Sequence, residues 1–195
     1  MGHLALARSA LDGLALDRVL LVPTGRPWQK PELETPAHHR LAMVRLAAGD
    51  DPRLAVDDLE IRRDARTYTI DTLLELRQRL GPAPALVLLL GSDQLRNLPS
   101  WHRWRELLVH AHIAATQRER VPLSGLPDDV DALLAQHGRD ALPDAPAGAV
   151  VFFRMPAVPV SATAIRTQLA SGQRPAGVVL PAVLEYIETH RLYGT

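Results

Sequence analysis

Residues 86–104 read LVLLLGSDQLRNLPSWHRW, and the fold follows from how this stretch is read. Residues 86–90 are apolar without alternation, the pattern of a strand covered on both faces, and Pro82 and Pro84 break the chain just ahead of it. The reading is a central parallel strand of an α/β sheet. Gly91 ends it, and Ser92, Asp93 and Gln94 then stand at the strand's carboxyl end, where open α/β sheets place their ligands. Residues 97–100 turn the chain and leave the flat ring of Trp101 on a loop near the Asp93 carboxylate. That pairing suits a small-molecule cleft, while Trp104 is assigned to the core.

Around this stretch, 195 residues with 47% hydrophobic content supply the core of one domain, so residues 1–195 are read as a single unit. Formal net charge is zero, which argues against nucleic acid or an anionic membrane surface as partner and favours a metabolite. The chain has no cysteine, so disulfide and thiolate chemistry are excluded. No apolar run reaches membrane-spanning length and the first residues form no signal peptide, which makes the cytoplasm the expected location. The sequence leaves open whether the chain forms a homo-oligomer.

Taken in order, Leu4, Ala7, Leu11 and Leu14 recur at helical spacing with Gly2 and His3 in the first turn. Residues 18–23 read as a short strand, 24–35 as a polar loop carrying Arg26, Trp28 and Lys30, and 36–48 as a helix with Leu41, Val44 and Ala48 inward. A strand is expected over 54–60, a polar turn over 63–69 and a helix over 70–80 with Leu73, Leu76 and Leu80 in its core stripe. That turn is expected to approach Trp101. Beyond the opening stretch, residues 104–110 read as helix and 113–116 as strand. Residues 121–148 read as an insertion around a helix over 128–137 started by Pro127. A strand over 149–153 precedes a helical segment over 159–195, with helices at 161–171 and 181–190. The histidine pairs His38 with His39 and His110 with His112 lack further ligands nearby and are read as structural.

The second informative stretch is VPVSATAIR, residues 158–166. Ser161 suits an N-cap and Thr163 falls in the first turn, so free amides and two hydroxyls gather where the helix dipole favours an anion. Arg166 sits one turn on, where a guanidinium can fork onto phosphate oxygens. Alone, the same pattern also describes an ordinary capped helix with a surface arginine.

LVPTGRPWQK, RTYT after a strand, GSDQLRNLPSWHRW, SATAIR and a closing LPAVLEYIETHRLY occur in this order, and together they resemble the bacterial nicotinate-nucleotide adenylyltransferases over nearly the whole chain. The resemblance implies a Rossmann-like nucleotidyltransferase fold, a mostly parallel sheet flanked by helices. It also implies roles. His3 matches the second histidine of the family's His-x-Gly-His pair, with Gly2 before it, and is implied to meet the triphosphate of ATP. Ser161, Thr163, Ile165 and Arg166 match the Ser-x-Thr-x-Ile-Arg motif and are implied to hold adenylate and phosphates, with His3 and Arg166 catalytic. Asp93 is implied to contact the nucleotide ribose and Trp101 to stack on the pyridine ring. Thr69 and the backbone at Tyr68 and His102 are implied to address the ring carboxylate, and Lys30 and Arg40 to meet phosphate. Arg118 aligns with a substrate-binding arginine, but Glu119 and Arg120 follow it where the family has Pro-Gly. Pro27, Trp28 and Gln29 likewise replace the usual Pro-Pro-His before the lysine.

The family's first strand, Gly-Gly-Thr-Phe-Asp-Pro loop and first histidine have no counterpart here, so the expectation is a sheet lacking its first strand. Either translation begins upstream, or this is a shortened relative that binds nucleotide without turnover. The implied reaction transfers the adenylyl group of ATP to nicotinate mononucleotide, giving deamido-NAD and pyrophosphate. It needs cations and positioning, with Mg²⁺ held mainly by the ATP phosphates. An adenylyltransferase acting on phosphopantetheine shares the helix-start motif but does not account for RTYT and PSW.

Overall fold

The computed structural model describes residues 2–27, 35–117, 125–156, 161–175 and 177–194. Helix α1 (Gly2–Gly13) buries Leu4, Ala7 and Leu11 on one stripe, as their spacing predicts. Strand β1 (Val19–Leu21) follows, and β2 (Arg26–Pro27) is a short strand within the expected loop. Pro36 stands just before α2 (Ala37–Ala48), where its missing amide breaks no helix bond. Of the residues predicted inward on α2, Ala48 is buried, while Leu41 and Val44 are half-buried.

Strand β3 (Leu54–Val56) is shorter than the 54–60 predicted. The Asp57 carboxylate accepts from the Leu59 amide at 3.0 Å, and the Asp58 carbonyl accepts from Ile61 and Arg62 at 2.9 and 3.0 Å. These bonds turn the chain into the single helical turn α3 (Leu59–Arg62). After β4 (Arg66–Thr67), helix α4 (Thr69–Leu80) buries Ile70, Leu73 and Leu76. Leu80, predicted for the same stripe, is 48% exposed, because the final turn of α4 outruns the core before Gly81 (φ 82°) ends it.

The remaining elements are β5 (Val87–Leu90), α5 (Ser92–Arg96), α6 (Leu107–His110), β6 (His112–Gln117), α7 (Asp128–His137), β7 (Val150–Arg154), α8 (Ala162–Ala170) and α9 (Pro181–Thr189). All but α5 lie close to where hydrophobic periodicity and capping residues put them, α7 starting directly behind Pro127, whereas the sequence reading has 92–94 only as polar groups at the strand's end and no helix over 92–96. No helix among the described residues is long and apolar enough to cross a membrane.

The chain forms two compact units, the first made of Met1–Ala5, Asp17–Arg66 and Val158–Thr195. Within it β1 pairs in parallel with β3, Val19 opposite Leu54 and Leu21 opposite Val56. Its buried cluster is Leu169, Val183, Leu184 and Ile187, against which Met43 and Ala47 of α2 pack.

The second unit, Leu6–Leu16 and Thr67–Ala157, holds a parallel sheet in the order β5-β6-β7. Ile70, Leu73, Leu90, Leu95, Leu107, Ile113 and Val150 form the core on one face; Ala10, Ala114, Val151 and Phe153 form it on the other. A fully buried Leu, Ile or Val contributes about 1.5–3 kcal/mol. Strand β6 is central, with Ile113, Ala114 and Ala115 at 0% exposure, and β5 lies at an edge of the described sheet. This corrects the central position read for residues 86–90. Leu88 and Leu90 pack on one core while Val87 and Leu89 pack on the other, so the unbroken apolar run does report two covered faces. It carries no information about lateral neighbours.

Candidate active site

In the first unit, α8 presents the SATAIR motif at an exposed helix start. Ser161 is extended (φ −115°, ψ 126°) and its Oγ accepts from the Ala164 amide at 3.4 Å, a long cap bond. Ile165 packs against the Leu169 cluster and anchors the helix, which leaves Thr163 and Arg166 exposed on it. An anion arriving here would find a helix dipole, hydroxyls and a guanidinium within one turn. His3 is likewise exposed in the first turn of α1, behind Gly2.

Arg40 is held by backbone carbonyls. Its Nε donates to the Thr35 carbonyl at 3.1 Å and its two terminal nitrogens donate to the carbonyls of Gly25, at 2.9 Å, and Thr24. Burial lowers its pKa, with Tyr193 and Glu60 opposing that shift. The guanidinium therefore bridges the two ends of the 24–35 loop. Lys30 and Arg118, together with Trp28 and Gln29, lie outside the described residues.

In the second unit the residues at the strand ends gather as follows. Asp93 is exposed on the first turn of α5, and its Oδ2 accepts from Gln94 Nε2 at 3.0 Å. The carboxylate folds back over Gly91: a Cβ there would lie 2.5 Å from Asp93 Oδ1. Trp104 is 8% exposed in the core with the Arg105 guanidinium 4.4 Å from its ring centroid. Trp101 is half-buried against the same core, and its Nε1 is buried with no hydrogen-bond partner among the described residues.

The loop of Trp101 does meet the turn before α4. The rings of Tyr68 and His102 lie 4.5 Å apart at 42°, and Thr69 opens α4 beside them. Arg103 is left-handed (φ 52°, ψ 38°), and its Nε and Nη2 fork onto the Glu106 carboxylate at 2.8 and 2.5 Å. That hydrogen bonding holds the Glu106 carboxyl below the usual carboxylate range and raises the Arg103 pKa. Sequence reasoning missed this pair, although the Arg-x-x-Glu spacing on a helical run signals it.

Among the described residues no group of three His, Cys, Asp or Glu side chains is placed to hold a metal ion. His112 has both ring nitrogens committed within the structure: Nδ1 accepts from the Ala149 amide at 3.0 Å and Nε2 donates to the Ala145 carbonyl at 2.7 Å. A groove of about 390 Å³ lined by Trp104, Arg105, Val109 and Asp129 contains none of the residues implied to bind substrate.

Residues 1–168 match the cytidylyltransferase-like family model. The chain is 43% identical over 193 residues to a protein of Laribacter hongkongensis (strain HLHK9), covering 98% of this chain and 88% of that one. It is 42% identical over 195 residues to one of Pseudomonas putida (strain W619), covering 99% and 89%. Both relatives carry the name "Probable nicotinate-nucleotide adenylyltransferase". In structure the chain is similar to Plasmodium falciparum nicotinic acid mononucleotide adenylyltransferase complexed with NaAD, with TM-score 0.68, 18% identity and coverage of 98% and 89%. That likeness carries the fold. With relatives this similar over nearly its full length, and with parallel strands flanked by helices, the chain belongs to the nicotinate-nucleotide adenylyltransferase family of cytidylyltransferase-like enzymes.

Proposed function

We infer that the protein transfers the adenylyl group of ATP to nicotinate mononucleotide in NAD biosynthesis. The observation that carries this is similarity of 39–43% identity over at least 98% of the chain to relatives bearing that one activity in their name. A phosphate oxygen of the mononucleotide attacks the α-phosphorus of ATP. The new P–O bond forms as the bond to the β-phosphate oxygen breaks, and pyrophosphate departs with the electron pair.

No protein nucleophile is needed, so the chain contributes position and positive charge. Arg166 and His3 are assigned to the triphosphate, and the start of α8, with Ser161, Thr163 and Ile165, to the adenylate and its phosphate oxygens. Lys30 is assigned to phosphate. Asp93 is assigned to the ribose, Trp101 to the pyridine face, and Thr69 with the backbone of Tyr68 and His102 to the ring carboxylate. Arg118 is kept as a substrate-binding candidate, and Arg40 is assigned to phosphate with the N–H groups that its three carbonyl contacts leave over. Mg²⁺ would be held mainly by the ATP phosphates, where it would supply positive charge to the transferring and leaving groups.

The whole chain is read as one nucleotidyltransferase domain, since the family match over residues 1–168 runs through both compact units. A cytoplasmic site of action accords with two small-molecule substrates. The test is pyrophosphate release on mixing the protein with ATP, Mg²⁺ and nicotinate mononucleotide, beside the same mixture with nicotinamide mononucleotide. Rapid release with the first and slower release with the second is expected. Release from neither, with nucleotide still bound, overturns the enzymatic reading.

A further inference from the structure

The Tyr68–His102 contact joins the two segments assigned to the ring carboxylate, and each ring stands on backbone that is held from another side. Tyr68 is extended (φ −119°, ψ 141°) directly before α4, and its carbonyl accepts the amides of Asp71 and Thr72 at 3.1 and 3.2 Å. His102 precedes Arg103, whose left-handed conformation costs an arginine free energy and is held in place by the fork to Glu106. The charge of Asp71, in the first turn of α4, also acts on Arg103. The Arg103 guanidinium thus ties its loop to the start of α4, its charge serving the carboxylates of both Glu106 and Asp71.

Selectivity between a ring carboxylate and a ring carboxamide is a demand on spacing. The two groups have nearly the same shape, and a carboxamide can turn its own oxygen toward a single loose donor. N–H groups fixed on both sides of the group donate to two carboxylate oxygens and reject an NH₂, because the amide hydrogens then face donors and leave them unpaired.

We propose that the Tyr68–His102 ring pair positions the Trp101–Arg103 loop against the start of α4 and thereby sets the preference for nicotinate over nicotinamide mononucleotide. His102 and Tyr68 act here through their side chains as positioning residues. This deepens the assignment of that end of the site under the proposed function and rests on it.

His102→Ala removes the ring and keeps the backbone. KM for nicotinate mononucleotide should rise about three- to tenfold, with the nicotinate-to-nicotinamide preference falling by a similar factor. KM for ATP should stay within about twofold and the melting midpoint within about 1 °C, because His102 is exposed. His102→Phe, which restores a ring without a charge, should recover both the KM and the preference. An unchanged preference in His102→Ala, an equal rise in both KM values, a midpoint lowered by several degrees, or failure of His102→Phe to rescue each overturns the ring pair. Wild-type protein that releases no pyrophosphate from ATP and nicotinate mononucleotide overturns the functional reading first, and the ring pair falls with it.

Discussion

Arg166 is exposed on α8, so its removal tests function with little interference from folding. Arg166→Ala should change stability by no more than about 0.5 kcal/mol and lower kcat by about a hundredfold. Thermal melts and pyrophosphate release measured side by side check this, and equal losses in both would remove Arg166 from the site. Gly91 makes a sharper test, because its φ of −71° suits any residue, yet its missing Cβ leaves room for Asp93. Gly91→Ala should turn the Asp93 carboxylate outward and lower kcat/KM for ATP about tenfold with the melting midpoint nearly unchanged. The SATAIR residues were legible in the sequence because a helix cap is a local pattern. The fit of Gly91 to Asp93 was not, since it depends on how one side chain folds back.

Helices α2 and α9 meet around a group of rings in the first unit. His39 Nδ1 lies 2.9 Å from the Tyr186 hydroxyl, with the His38 and His190 rings 4.1 and 5.0 Å from that of His39. Burial lowers the His39 pKa below its ordinary 6.5, and the charges of His38 and His190 lower it further. The unfolded chain therefore binds this proton more readily than the folded one. Stability is complete above about pH 6.5 and declines as the pH falls from there toward the lower folded-state value. Urea midpoints measured from pH 7.5 to 5 should show that decline, and His39→Gln, which does not titrate, should flatten part of it. Helix positions were legible from apolar spacing and from Pro127 and Ser161. The grouping of His39 with Tyr186 and His190 was hidden, because it forms only when two helices far apart in sequence pack together. Likewise, residues 54–60 read as strand throughout, and the turn at their end shows only once Asp57 and Asp58 have taken their hydrogen bonds.

For the whole molecule, a chain with no net charge is expected to associate with its substrates at rates that local cations, not a long-range field, control. Raising the salt concentration from 0.05 to 0.5 M should therefore weaken the ATP dependence of pyrophosphate release through KM, leaving kcat within about twofold. The fold class was legible because parallel strands, helices and their order leave periodic traces. The candidate site was legible as separate motifs. What joins them, such as the Tyr68–His102 contact or the Arg40 bridge, consists of side-chain meetings between residues with no pattern in common.

Strand β6 lies between β5 and β7 with its apolar residues wholly covered, so its amides can meet heavy water only when the second unit opens as a whole. Deuterium uptake at Ile113, Ala114 and Ala115 is thus a clock for that opening. A nucleotide bound to that unit at a hundred times its Kd should slow the clock about a hundredfold. Occupancy can then be read by mass spectrometry in protein that has performed no catalysis.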